Sequence, residues 1–115
     1  MTNNLHSVRF SPDSKYLAYS EATNGIAIYN ASSYQLINST NAGFGFAYAM
    51  SFSRDSSKIA YNIHTSSTTG PRIISISTNN SITVSSPITS SITYARDLDY
   101  SFDGNKLIKC GDNGY

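Results

Sequence analysis

One short pattern, written three times, constrains this chain more than any other feature. The segment Val8-Arg9-Phe10-Ser11-Pro12-Asp13-Ser14-Lys15-Tyr16-Leu17-Ala18 aligns without gaps on Met50-Ser51-Phe52-Ser53-Arg54-Asp55-Ser56-Ser57-Lys58-Ile59-Ala60. Both align on Leu98-Asp99-Tyr100-Ser101-Phe102-Asp103-Gly104-Asn105-Lys106-Leu107-Ile108. The shared sentence is apolar-x-aromatic-Ser-x-Asp-x-x-x-apolar-apolar. Its serines, Ser11, Ser53 and Ser101, stand 42 and 48 residues apart. The unequal spacing has one source: Ile28 precedes Ser53 by 25 residues and Ile76 precedes Ser101 by 25. The additional residues therefore fall between Ile59 and Ile74, in the polar stretch Asn62 to Pro71. A repeat period of this size means stacked supersecondary units, each burying its apolar face against its neighbour.

Each unit reads as short strands divided by turn chemistry. In the first, Leu5 to Phe10 is strand a, Asp13-Ser14 a tight turn, and Tyr16 to Ser20 strand b. Asn24-Gly25 leads to strand c at Ile26 to Asn30. A turn at Ala31 to Ser33 then returns the chain as strand d, Tyr34 to Ser39. The second unit repeats the plan over Ala49–Ser53, Lys58–Asn62, Arg72–Ser77 and Ser81–Ser86, with a turn at Asn79-Asn80. Asp and Asn suit such turns because their side chains bond nearby backbone N–H groups and tolerate positive φ. No segment carries a 3.6-residue apolar period, and the β-branched and aromatic load favours strands. Only 13% of the chain is charged, about half the usual share. Nine Tyr and five Phe nevertheless supply material for a core that a disordered chain lacks. The expectation is an all-β fold of β-propeller blades, each a four-stranded antiparallel sheet, forming an incomplete propeller. Blade 1 spans 1–42, blade 2 spans 43–90, and 91–115 is the first half of blade 3.

The residues resemble the WD-repeat family. Val8 to Ala18 looks like its strand a–turn–strand b, usually Phe-Ser-Pro-Asp-Gly, and Gly25 to Asn30 looks like its strand c. Tyr29-Asn30 stands where that family usually has Trp-Asp. The family's Gly-His before strand a is replaced here by Met1, Gly43 and Ser91 at the histidine position, and the chain has no Trp. The hydrogen-bond network built on those side chains therefore cannot form. The peptidase-associated and envelope-transport propellers share the Ser-Pro-Asp-Gly-like turn without that network, so both groups remain open. The resemblance implies a non-catalytic WD-like scaffold whose partners are other proteins or further blades. The alternative is a piece of a propeller that gates or lines the active site of a larger hydrolase. A homo-oligomer would follow if the chain is complete, since several copies could then share a ring.

Little else in the sequence points to chemistry. The net charge of +1 argues against nucleic-acid tracking or a polybasic membrane patch. Cys110 is the only cysteine, so no internal disulfide or thiolate cluster forms, and a half-buried inert thiol is expected. No leader-like segment opens the sequence, and the expected location is cytoplasmic. Asp13, Asp55 and Asp103 recur once per unit and read as structural turn residues. Asp97 and Asp99 share one face of a strand and read as a blade-to-blade ion pair or a channel-facing solvated pair. His6 and His64 lack neighbours at metal-ligand spacing. Neither a cofactor, a metal nor a catalytic group is therefore expected. Polar loops on rigid sheets are where binding residues concentrate, so the insertion, with Asn62, His64, Thr65 and the adjoining Arg72, is the expected partner-binding loop.

Overall fold

The computed structural model describes residues 5–21, 25–40, 46–64, 70–88 and 94–112. Among them are ten strands: β1 (Leu5–Phe10), β2 (Tyr16–Glu21), β3 (Gly25–Asn30), β4 (Leu36–Thr40), β5 (Phe46–Phe52), β6 (Lys58–His64), β7 (Arg72–Ile76), β8 (Ile82–Val84), β9 (Tyr94–Tyr100) and β10 (Leu107–Asp112). They form two four-stranded sheets, β1-β2-β3-β4 and β5-β6-β7-β8, and one two-stranded sheet, β9 with β10. Every pairing is antiparallel between chain neighbours. The three sheets are thus successive copies of one up-and-down unit, the last represented by its first two strands.

The repeated Ser-x-Asp builds the same turn three times. Ser11 Oγ donates to Asp13 Oδ1 at 2.6 Å and accepts the Tyr16 N–H at 2.9 Å, while Asp13 Oδ1 accepts the Lys15 N–H at 3.0 Å. Ser53 and Asp55 repeat the three bonds at 2.7, 3.0 and 3.0 Å with Lys58 and Ser57 as the backbone donors. Ser101 and Asp103 do so at 2.6, 2.9 and 3.0 Å with Lys106 and Asn105. Each side-chain pair satisfies two backbone N–H groups that the hairpin leaves unpaired. The turns also force one residue into the left-handed region: Ser14 (φ 62°), Ser56 (φ 63°) and Gly104 (φ 74°). Only the third of these is free of a Cβ penalty.

Some boundaries differ from the sequence reading. Strand β4 begins at Leu36 rather than Tyr34, because Tyr34 takes φ 58° and its N–H closes the turn on the Asn30 carbonyl. Strand β8 ends at Val84, although Ser85 and Ile88 still donate backbone bonds to Ile73 and Pro71. Strand β6 runs to His64, two residues past the expected end, because β5 starts early enough to pair Phe46 with His64. At Gly70 a side chain has no room: a Cβ would run into the backbone oxygen of Ile88.

Burial lies between the sheets. One core cluster joins Ala18, Ile26 and Ile28 of the first sheet to Met50, Phe52, Ile59, Tyr61, Ile74 and Ile76 of the second. A second cluster joins Ala49 and Ala60 of the second sheet to Leu98, with Ile73, Tyr100 and Leu107 packed against it. Adjacent strand residues in β6 therefore serve opposite neighbours: Ile59 and Tyr61 face the first sheet and Ala60 the third. The turns are joined as well. Ser56 Oγ, almost wholly buried, accepts the Asp13 N–H at 3.1 Å. The serine hydroxyl thus gives the strained residue of the second turn a use that glycine could not.

Three substitutions test this packing. Phe52→Ala should destabilise the fold by about 3–5 kcal/mol, the cost of emptying an aromatic core site. A loss under about 1 kcal/mol in denaturant unfolding would contradict its placement between sheets. Ser56→Ala should cost about 1 kcal/mol by removing the acceptor of the Asp13 N–H, whereas Ser14→Ala should leave the stability unchanged within experimental error. Equal effects at the two serines would remove the inter-sheet bond as an explanation.

Candidate interaction surfaces

Three places on this scaffold gather polar or aromatic side chains. The first lies along the innermost strands, where the equivalent positions Arg9, Ser51 and Asp99 follow one another from sheet to sheet. Ser51 Oγ donates to Asp99 Oδ1 at 3.0 Å and accepts the Tyr100 N–H at 3.3 Å. Asp99 thus reaches the neighbouring sheet through a hydrogen bond to a neutral serine, where an ion pair is one of the two expectations. Asp97 instead turns onto its own strand and accepts the Leu98 N–H at 2.9 Å. A cleft of about 360 Å³ runs beside these residues and is bordered by Arg9, Phe10, Phe52, Asp97 and Asp99.

The second is a ledge formed by the turns. Positions Pro12, Arg54 and Phe102 fill the variable place in Ser-x-Asp, and all three point away from the core. The Arg54 guanidinium lies over the Phe102 ring, 3.3 Å from its centroid. Phe102 is still 73% exposed. A groove of about 430 Å³ opens here, bordered by Arg54, Lys58, Phe102 and Asn105. The sequence signal for this pair was the departure from the repeat: an invariant-looking turn carries a different exposed residue each time.

The recurring aspartates are committed to their turns. The Ser53 hydroxyl, then the Ser57 hydroxyl and N–H, hold the Asp55 carboxyl down at about 2. The Ser101 hydroxyl and the Asn105 N–H lower Asp103 in the same way. At Asp13 partial burial pushes upward, and bonds from Ser11, Lys15 and Ser56 outweigh it. These groups stay ionised with Oδ1 of each accepting the turn's hydrogen bonds, which suits hairpin closure and leaves none of them poised as a proton donor near neutrality. Among the described residues no group of three His, Cys, Asp or Glu is arranged to hold a metal.

The third place is the insertion between β6 and β7, and here the structure redistributes the expected residues. Asn62 is not in a loop. It pairs with Ala49 inside β6 and is 1% exposed, because both faces of the middle sheet are covered. A partner cannot reach it. His64 is the last residue of β6, and Thr65 lies outside the described residues. Arg72 opens β7 opposite Tyr61 and is half-buried. Its Nε and the Tyr61 hydroxyl are enclosed and bonded to nothing among the described residues. Burial accordingly raises the Tyr61 phenol, with the nearby Arg72 charge opposing it. Of the four, Asn62 is thus enclosed and Arg72 half-buried. Cys110 also departs from expectation: it is exposed, since β10 is the free edge of a two-stranded sheet, whereas the equivalent Ser20 and Asn62 lie inside four-stranded ones.

Comparison with known proteins agrees with this architecture. No protein-family model matches the sequence, and no curated protein matches it. A chain of a solved structure described as "Crystal Structure of Mitotic Checkpoint Complex" is 22% identical, with a TM-score of 0.77 over 95% of this chain and 34% of that one. TolB from Acinetobacter baumannii is 16% identical with a TM-score of 0.42, over 93% of this chain and 37% of that one. The chain therefore spans about a third of the length of the solved chains it matches. Its fold is that of a partial WD-like β-propeller, all-β and open.

The turn carboxylates set an acid limit. Asp13, Asp55 and Asp103 are lowered in the folded chain relative to an ordinary 3.8. Their stabilisation is present above that value and is lost as pH falls toward about 2, where Asp55 protonates. Melting temperature should therefore drop across that window. Asp55→Asn keeps an acceptor oxygen but cannot titrate, so its melting curve should depend less steeply on pH there. An unchanged acid slope in the variant would show that this carboxyl contributes nothing to the pH dependence.

Proposed function

We propose that this chain is a non-catalytic protein-interaction scaffold, a stack of blades whose turn ledge recognises a partner through Arg54 and Phe102. The observation that carries this reading is an aromatic ring left 73% exposed on a rigid turn and held in place by an arginine. Aromatic and arginine side chains dominate binding energy where they can be desolvated together. Phe102 offers a flat apolar face, and Arg54 offers donors to a carboxylate or carbonyl beside it. The carboxylate pair on β9 makes hydrogen bonds of its own, Asp97 accepting the Leu98 N–H and Asp99 the Ser51 hydroxyl. Support also comes from the solved checkpoint structure, where a chain of this fold is part of a multi-protein complex. The β6–β7 connection, with His64, Thr65 and Arg72 at or beside it, is a second contact in the same scaffold.

Phe102→Ala and Arg54→Ala should each weaken capture of a partner identified with the unaltered chain by about tenfold or more, while leaving circular dichroism and melting unchanged. Shortening 65–69 should weaken capture less. Retained binding in both ledge variants would move the interaction elsewhere on the scaffold.

A further inference from the structure

We infer that Tyr61 and Arg72 form an enclosed site for a small inorganic anion of the halide type, set between the first and second sheets. The inference rests on the packing of these two sheets and is independent of the ledge. Tyr61 and Arg72 are direct partners across the β6–β7 ladder. Residues opposed in this way share one face, with Cβ atoms about 5 Å apart. Tyr61 is 0% exposed and lies in the core cluster that joins the two sheets. Its hydroxyl and the Arg72 Nε are both shielded from solvent, and neither has a hydrogen-bond partner among the described residues. Each such group is costly to bury unpaired, and one acceptor lying between the two removes both costs.

The repeat shows how the pair arose. In the first sheet Leu17 pairs with Tyr29 and Tyr19 with Ala27. In the second, the same places hold Ile59 with Ile74 and Tyr61 with Arg72. The Tyr19 and Tyr29 hydroxyls share a hydrogen bond at 2.6 Å. Tyr61 stands where Tyr19 does, but Ile74 takes the place of the second tyrosine and Arg72 that of the alanine. A neighbouring hydroxyl has been exchanged for a neighbouring cation. The donor set then decides the class of ligand. Arg72 offers donors only, with a permanent positive charge. Burial raises the Tyr61 phenol, so its hydroxyl keeps the proton it donates. A water molecule would accept both bonds but must place two hydrogens of its own. The side chains clustered with Tyr61, among them Ile26, Ile28, Ile59 and Ile74, offer no acceptor for them. An anion needs none, and it compensates a guanidinium that is partly withdrawn from water. Enclosure of both donor atoms suits a single-atom ion better than a tetrahedral oxyanion. Arg72 as a whole is only half-buried, which gives the ion a way in along that side chain.

Thermal melting of the full chain in sodium chloride or bromide, against sodium gluconate at equal ionic strength, tests this. In the halides the melting temperature should rise along a saturable curve, by about 4 °C at about five times the dissociation constant, and it should stay flat in gluconate. Tyr61→Phe keeps the ring in the core and removes one donor, so about fivefold more halide should be needed for the same shift. Arg72→Met keeps an unbranched apolar stem without the charge, and the shift should vanish. Crystals grown in bromide should show an anomalous peak within hydrogen-bond distance of the Tyr61 hydroxyl and the Arg72 Nε, which decides the matter even where a variant fails to fold. Equal melting in halide and gluconate would overturn the proposal. So would an unchanged halide response in folded Tyr61→Phe, or a water at this place in the bromide crystals.

Discussion

Everything in this molecule depends on sheets burying their flat faces against sheets of the same kind. A single four-stranded antiparallel sheet of short strands has no interior; its apolar residues acquire one only when a neighbour arrives. Ile59 and Ala60 are adjacent in sequence, point to opposite faces, and are both wholly buried because a neighbour lies on each side. The same position is protected or exposed according to its place in the stack. Phe52 is in the core, Tyr100 is half-buried, and Phe10 is largely open, although the three occupy one place in the repeat. Burial here belongs to the assembly of units rather than to the residue.

That constraint explains what the sequence made legible. Turns were readable because their chemistry is local: a serine, an aspartate two residues on, and a left-handed residue after it suffice to close the hairpin. Strand number and order were readable because the apolar segments recur at matched spacing. Asn62 was not, because its fate is set by the neighbouring sheets. Alternation of apolar and polar residues marks a strand with one wet face, and Ile59 to Asn62 of the middle sheet have none. Asn62 therefore looked like the start of a polar loop, while β5 and the sheets on either side had already enclosed it.

The candidate contact residues divide along the same line. Arg54 and Phe102 sit at the variable position of a fixed turn, and their meeting requires two consecutive turns to stand side by side. The sequence contains both residues but not their distance, which the stacking of sheets supplies. Ser51 and Asp99 are a similar case, equivalent in the repeat and bonded only because one sheet follows the other. Residues that appear as a column in the alignment of repeats become a row of contacts in space.

A corollary concerns strain. Left-handed serine at the third turn position is costly, and the chain keeps it twice where glycine, used at Gly104, is cheaper. At Ser56 the hydroxyl reaches the preceding turn, so the strain is tied to an inter-sheet bond. The cost and the bond lie on different elements: the backbone of the second sheet is strained so that the turn of the first is satisfied. Such a device works only between units held in fixed register. Ser14 has the same backbone and no such neighbour among the described residues.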